Sequence, residues 1–318
     1  MRLFYSGVSS SSHPRDAVPG VDIMWAYKRS FDGLEKFEAD SFLDSGAFTL
    51  RKRATRGNWS FYRSREFREY LEAYAAFVTK FGVELYANID VIGNAELTYR
   101  NQKLLEKLGI RPVPVVHFGT NVSWLQRYID EGHKLIGLGG LVGRTTLSAE
   151  WLGRCFELAC DSSTRLPTVG LHGFGIVNYP LLIRFPWWSV DSSAWVKEGG
   201  RWGAVFIPHK RRGDFSYSIR PHKVIMAETA ASSKSVMDGQ SRSSNPHWLA
   251  LNKKEQAIVG EWLERIGVPV GGKDVEGVVN SDKSRGKANL LFFEWVRKCL
   301  PEWPWEFRQT RKGFDLEV

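Results

Sequence analysis

Residues 83–117, VELYANIDVIGNAELTYRNQKLLEKLGIRPVPVVH, contain two short apolar runs with a helical segment between them. The runs are Val83–Asp90 and Val113–His117. The helical segment, Ala95–Leu108, follows Asn94, which is a favourable N-cap residue, and it stops before Gly109. This order of strand, helix and strand predicts two parallel strands joined by a helical crossover.

The same alternation continues on both sides of this unit. Helical patterns, the clearest in Arg65–Lys80, separate further apolar runs. A (β/α)8 barrel needs eight strands and about 250 residues. An open doubly wound sheet would alternate in the same way, but no GxGxxG motif follows the first run. We therefore predict an α/β fold, a (β/α)8 TIM barrel with a C-terminal helical appendage. The other six predicted strands are Arg2–Tyr5, Val21–Ala26, Ser41–Leu43, Lys134–Leu138, Thr168–His172 and Trp187–Val190.

The composition changes after Trp195, which suggests a division of the chain. Gly199–Lys223 is rich in Gly, Arg and aromatic residues and predicts a long loop or a short β-excursion. We expect a TIM-barrel catalytic domain in residues 1–225 and a flexible Ser-rich linker or loop in 226–246. A C-terminal helical region, 247–318, would complete or flank the barrel, with helices in His247–Ile266 and 289–307.

The overall charge favours an acidic partner. Lys and Arg number 44 against 35 Asp and Glu, so the net charge is +9, and nucleic acid is the commonest partner of such proteins. A merely basic soluble enzyme would have the same charge. Three scattered cysteines predict neither a disulfide framework nor a zinc knot. No signal peptide or apolar run of about 20 residues is evident, so we expect a cytoplasmic protein without membrane contact.

Acidic, histidine and glycine-rich clusters follow the predicted strands. Active sites of barrels form at the C-terminal ends of the strands, so we expect these clusters to share one rim. Each residue also has a simpler interpretation: Asp44 could cap a turn, and Asp90 could be a buried carboxylate held by local amides. The clusters are DSGAF at 44–48, Asp90, His117, GGLVG at 139–143, LHGFG at 171–175 and SVDS at 189–192.

In this order the motifs resemble those of the tRNA-guanine transglycosylases, and most closely those of their DNA-acting relatives, which insert 7-deazaguanines. The resemblance covers residues 42–195, about half of the chain. It implies that Asp191 is the nucleophile and Asp44 the general acid/base. It further implies substrate contacts by Phe48, which would stack on the base, and by Asp90, which would bind the purine edge. The other implied substrate-binding residues are Ser45, Gly46, His117, Gly139, Gly140, Leu141, His172 and Gly173.

The sequence also departs from the tRNA enzymes. Their zinc module follows the nucleophile, whereas here only Cys299 lies downstream of Asp191, so we expect neither a metal nor another cofactor. The segment after Asp191 does not resemble their basic loop. We therefore expect DNA and a free 7-deazaguanine such as preQ0 as substrates. A zinc-free tRNA-guanine transglycosylase and a TIM-barrel hydrolase or lyase of a small anion remain alternatives, and a helper protein or a homodimer remains open.

Two basic segments are candidates for contact with the phosphate backbone. Both mix cations with aromatic residues, which suits phosphate contact together with base stacking. Each could instead be a solvated charged loop. The candidate residues are Arg51, Lys52, Arg53 and Arg56 in the first segment and Lys210, Arg211 and Arg212 in the second.

Overall fold

The computed structural model describes residues 1–8, 13–27, 36–53, 59–141, 146–176, 178–227 and 245–308. Arg56, most of the predicted linker 226–246 and residues 309–318 lie outside these ranges. Seven parallel strands form one sheet in the order β3-β2-β1-β7-β6-β5-β4. They are β1 (Arg2–Tyr5), β2 (Asp22–Ala26), β3 (Ser41–Asp44), β4 (Val115–His117), β5 (Leu135–Gly139), β6 (Gly170–Gly173) and β7 (Ser189–Ser192).

Helices follow most of these strands. Local capping sets their ends: the Ser64 side chain accepts the Phe67 N–H at the start of α3, and Gly82 ends that helix in a left-handed conformation. The helices up to β7 are α1 (Pro14–Ala17), α2 (Ala47–Leu50), α3 (Arg65–Phe81), α4 (Ala95–Lys107), α5 (Ser123–Asp130), α6 (Thr146–Ala159) and α7 (Tyr179–Arg184). Short 3-10 turns occupy Arg51–Arg53 and Ser60–Arg63.

The predicted strand Val83–Asp90 does not form a strand of the sheet. Only two parallel bridges occur in this region, Leu43 with Tyr86 and Ala87 with Val113. They lie between β3 and β4, the two edges of the seven-stranded sheet. The polar residues Asn88 and Asp90 interrupt the apolar alternation. Beyond Asn88 the backbone is bound by α4, where the Asn101 amide donates to the Ile89 carbonyl oxygen and the Val91 N–H donates to the Thr98 hydroxyl. The closed eight-stranded barrel remains a prediction.

The segment after β7 contains more regular structure than a loop. Helix α8 (Ala194–Val196) continues into one turn of π-helix, Lys197–Arg201. Two antiparallel pairs follow: β8 (Ala204–Ile207) pairs with β11 (His222–Ile225), and β9 (His209–Arg211) pairs with β10 (Asp214–Ser216). The β-excursion expected for Gly199–Lys223 is therefore present.

Two helices form the C-terminal region, α9 (Lys253–Arg265) and α10 (Asp282–Cys299), after a 3-10 turn at Trp248–Ala250. Helix α9 begins later than expected because Asn252 and Glu255 form a capping box there. Helix α10 packs against β1 and α8, and its predicted start at 289 was wrong by several residues because Ser281 caps it.

The concave side of the sheet is filled with apolar side chains. Phe4, Met24 and Phe42 from adjacent strands meet Ala87 and Val113 there. The polar residues at the C-terminal ends of the strands therefore lie next to an apolar layer that excludes water. Among the described residues, no helix has both the length and the apolar character needed to cross a membrane.

Candidate active site

A cavity of about 890 Å³ opens where the strands end. Asp44, Asp90 and Asp191 all line it, although they come from distant parts of the sequence. Because parallel strands point the same way, their last residues meet at one edge of the sheet. The cavity therefore joins three carboxylates in a partly enclosed space.

Asp44 is the last residue of β3 and lies partly buried at the cavity wall. Burial is the largest cause that raises the pKa of its carboxyl, and the nearby charges of Asp90 and Asp191 act in the same direction, so that the pKa lies at about 7 instead of 3.8. The N–H groups of Ser45 and Gly46 donate to this carboxyl and oppose the rise. Near neutral pH the group is therefore divided between its acid and its carboxylate form.

The turn after Asp44 depends on glycine. Gly46 has a φ of +76°, which side chains disfavour. A Cβ at this position would lie 3.0 Å from the Tyr70 hydroxyl and 3.1 Å from the Tyr27 carbonyl oxygen. The same Tyr70 hydroxyl donates to the Ser45 carbonyl oxygen at 2.6 Å. Tyr70 therefore fixes the backbone next to Asp44 and leaves no room for a side chain at Gly46.

Asp90 is nearly buried and is paired with His117 at the end of β4. His117 Nε2 lies 2.7 Å from Asp90 Oδ2, and because a carboxylate can only accept, the imidazole N–H donates. Helix α4 holds the flanking backbone: the Thr98 hydroxyl accepts the Val91 N–H at 2.9 Å, and the Asn101 amide donates to the Ile89 carbonyl oxygen at 2.8 Å. Within the described part of the chain the other oxygen, Oδ1, has no hydrogen-bond partner, so it can accept from a ligand in the cavity.

Asp191 on β7 is held by one donor at each oxygen. The Ser6 hydroxyl donates to Oδ2 at 2.9 Å, and the Gly175 N–H donates to Oδ1 at 2.7 Å. Such donors stabilise a carboxylate and fix its rotation. His172 lies behind it, with Nε2 3.7 Å from Oδ1.

The remaining wall of the cavity combines glycine, aromatic and basic groups. Gly139 and Gly140 after β5 line it, and a Cβ at Gly139 would lie 3.0 Å from the His117 ring. Phe48 also lines the cavity and is 67% exposed. A large aromatic ring with this exposure at a cavity is available to stack on a flat ligand. Arg51 lines the same side, and Lys52 next to it is exposed.

Several predicted site residues do not line the cavity. These residues, which do not belong to the cavity lining, are Ser45, Gly46, Leu141, His172 and Gly173. The Arg53 side chain and all of Arg56 lie outside the described residues. Lys210, Arg211 and Arg212 belong to the β9–β10 hairpin, away from the cavity lining. Lys210 is bound to both carboxylate oxygens of Glu261 at 2.6 Å.

Other cavity residues were not anticipated from the sequence. Ser6 follows β1, and its hydroxyl holds Asp191; Trp25 on β2 and Phe174 after β6 add aromatic surface; Lys197 in the π-helical turn adds a cation. Ser6 and Phe174 lie directly after strands, and position at a strand end is also the pattern that indicated Asp44 as a site residue. Nothing in the sequence distinguishes Lys197 from other exposed lysines.

The described residues contain no cluster of three or more His, Cys, Asp or Glu side chains that could hold a metal ion. No family model matches this sequence, and a search of curated proteins found no match.

Proposed function

We propose that this chain is a DNA base-exchange transglycosylase, which replaces guanine with a 7-deazaguanine such as preQ0 through a covalent aspartyl-glycosyl intermediate. The observation that carries the proposal is the position of Asp44, Asp90 and Asp191 around one cavity. Their environments differ: burial raises the pKa of Asp44 to about 7, whereas Asp191 receives two hydrogen bonds as a carboxylate. Two acidic groups with such different environments suit an acid and a nucleophile.

In the first half-reaction Asp191 attacks C1′ of the deoxyribose. A bond forms between a carboxylate oxygen and C1′ while the C1′–N9 bond breaks, and its electron pair leaves with the guanine. Asp44 in its acid form donates the proton that the departing base needs. A positioned acid contributes about 10²–10⁴-fold to such a step.

In the second half-reaction the incoming base takes the place of guanine. Its ring nitrogen forms a bond to C1′, the ester bond to Asp191 breaks, and that electron pair restores the carboxylate. The proton of the incoming nitrogen moves to Asp44, which is thereby ready for the next cycle. A pKa of about 7 lets Asp44 serve in both directions near neutral pH.

Base selection in this proposal rests on Asp90 and Phe48. Oδ1 of Asp90 would accept a hydrogen bond from the N1–H or the exocyclic amine of guanine, since His117 occupies Oδ2. The exposed Phe48 ring would stack on the flipped base and recover about 1–3 kcal/mol of the cost of leaving the duplex. Arg51 and Lys197 at the cavity would meet flanking phosphates.

We also propose that the sheet closes into a (β/α)8 barrel. The bridges Leu43–Tyr86 and Ala87–Val113 support closure because they connect the two edge strands β3 and β4 through one segment. The net charge of +9 supports DNA as the partner, with cytoplasmic localisation.

Incubation of the protein with duplex or single-stranded DNA and radiolabelled guanine or preQ0 tests the proposal. We expect label in DNA and a DNA–protein adduct that survives denaturation. Asp191→Asn should abolish both, and Asp44→Asn should slow exchange by at least about 100-fold. Asp130→Asn, an exposed carboxylate on α5, is the control and should match the wild type. Label in tRNA but not in DNA would identify tRNA as the substrate. No incorporation into any nucleic acid would refute the proposal.

A further inference from the structure

A buried histidine lies directly behind Asp191 and outside the cavity lining. His172 on β6 is fully buried. Its ring lies against three phenylalanines, with centroid distances of 6.1 Å to Phe4, 4.7 Å to Phe42 and 4.4 Å to Phe174. Water and substrate therefore do not reach it, and it can act only through its neighbours.

The two ring nitrogens of His172 have unequal surroundings. Nδ1 lies 2.7 Å from the Ser189 hydroxyl oxygen. Nε2 makes no hydrogen bond within the described residues, and it faces Asp191 Oδ1 at 3.7 Å. A buried polar nitrogen without a partner is unusual in a folded protein and calls for an explanation.

The charge of Asp191 selects one form of this imidazole. Burial lowers the pKa of His172, more than Asp191 raises it, so the ring is neutral and carries one N–H. With the proton on Nε2, an N–H points at the carboxylate and the Ser189 hydroxyl donates to Nδ1. With the proton on Nδ1, the Nε2 lone pair would face a negative charge. The first tautomer is therefore favoured.

We propose that His172, held in this tautomer by Ser189, is a positioning residue that supplies Asp191 with a third hydrogen-bond donor as the carboxylate is released from C1′. This inference rests on the proposed function. In the second half-reaction the electron pair of the C1′–O bond returns to Asp191, and the growing negative charge draws Nε2–H to within hydrogen-bonding distance. The histidine proton stays on the ring, and the proton of the incoming base still goes to Asp44.

Two substitutions separate the two nitrogens. The side-chain amide nitrogen of His172→Gln corresponds to Nε2 and keeps a donor toward Asp191, whereas that of His172→Asn corresponds to Nδ1 and keeps only the Ser189 contact. A hydrogen bond to a charged group is worth about 10- to 100-fold in rate. We expect kcat and the KM for DNA to fall together by that factor in His172→Asn, so that kcat/KM for DNA stays unchanged. The DNA adduct should accumulate, because its resolution is the slow step, and His172→Gln should restore most of the rate.

These measurements distinguish failure of the inference about His172 from failure of the proposed function. Equal losses in both variants, or no loss in His172→Asn, would overturn the inference while wild-type exchange leaves the proposed function intact. Wild-type protein that exchanges no base on any nucleic acid would refute both. If His172→Asn fails to fold, nitrogen NMR of histidine-labelled wild-type protein decides. A proton on Nε2 of His172 supports the role, and a proton on Nδ1 overturns it.

Discussion

The raised pKa of Asp44 predicts that this carboxyl destabilises the folded protein as the pH rises. Its pKa is 3.8 in an unfolded chain and about 7 in the fold. The stability that Asp44 contributes is therefore fully present below pH 3.8 and is lost as the pH rises through about 7. At about 1.4 kcal/mol for each tenfold change in proton affinity, the loss is about 2 kcal/mol at pH 5 and about 4 kcal/mol at pH 8.

Asp44→Asn removes this dependence because the amide keeps the shape of the neutral acid and cannot ionise. We expect the variant to be more stable than the wild type at pH 8 by up to about 4 kcal/mol, and by less at pH 5. Urea unfolding of both proteins at pH 5, 6, 7 and 8 gives the difference directly. If the free energies of unfolding of the two proteins differ by the same amount at every pH from 5 to 8, the assigned pKa is wrong, and so is the acid role of Asp44.

Asp161 provides a control of opposite sign. It is partly exposed, and hydrogen bonds from Ser163 and Thr164 hold the pKa of its carboxyl below the usual range. A group whose pKa is lowered by folding contributes stability above its unfolded pKa, so Asp161→Asn should lower stability at neutral pH. Opposite effects of the two substitutions would exclude a general effect of lost negative charge.

Four further predictions concern the cavity. In steady-state exchange, the wild-type rate should fall above pH about 7, and Asp90→Asn should move this fall to lower pH because the lost charge lowers the pKa of Asp44. Gly46→Ala should lower the free energy of unfolding by about 1–3 kcal/mol, measured in urea, because it forces a side chain into positive φ. Phe48→Ala should leave the melting temperature unchanged, since the ring is exposed, and weaken binding of single-stranded DNA by about 1–3 kcal/mol in a fluorescence titration. Arg51→Ala should reduce the slope of log affinity against log salt by about 1 in the same titration.

Much of the fold follows from local patterns in the sequence. Some signals extend over only a few neighbouring residues and can be recognised from the sequence alone. They are the apolar runs at β1, β2 and β5 and the N-caps Ser64 and Asn94. The segment at 83–90 was wrongly predicted as a strand because it pairs with its neighbours through two isolated bridges, while side chains of α3 and α4 bind other atoms of its backbone, such as the Ala87 carbonyl oxygen that accepts from the Tyr74 hydroxyl.

The candidate site was predictable where it depends on strand direction. Parallel strands bring Asp44 and Asp191 to one edge whatever the details of packing. The roles of Ser6 and Lys197 depend on which side chains face the cavity, and residue type does not encode that orientation. Contact of the basic hairpin with the phosphate backbone was predicted from composition alone. Composition does not indicate that Lys210 is bound to Glu261.

The segment that carries Asp90 joins its neighbours by two isolated bridges, unlike the strands that carry Asp44 and Asp191. Asp44 and Asp191 lie on strands of a continuous ladder, whereas the residues on either side of Asp90, Ile89 and Val91, are bound by Asn101 and Thr98 of α4. A substitution in α4 would thus move the group proposed to recognise the base and leave the bond-breaking pair in register. Under the proposed function, descendants of this chain could acquire a new preferred base through changes in one outer helix while retaining the same chemistry.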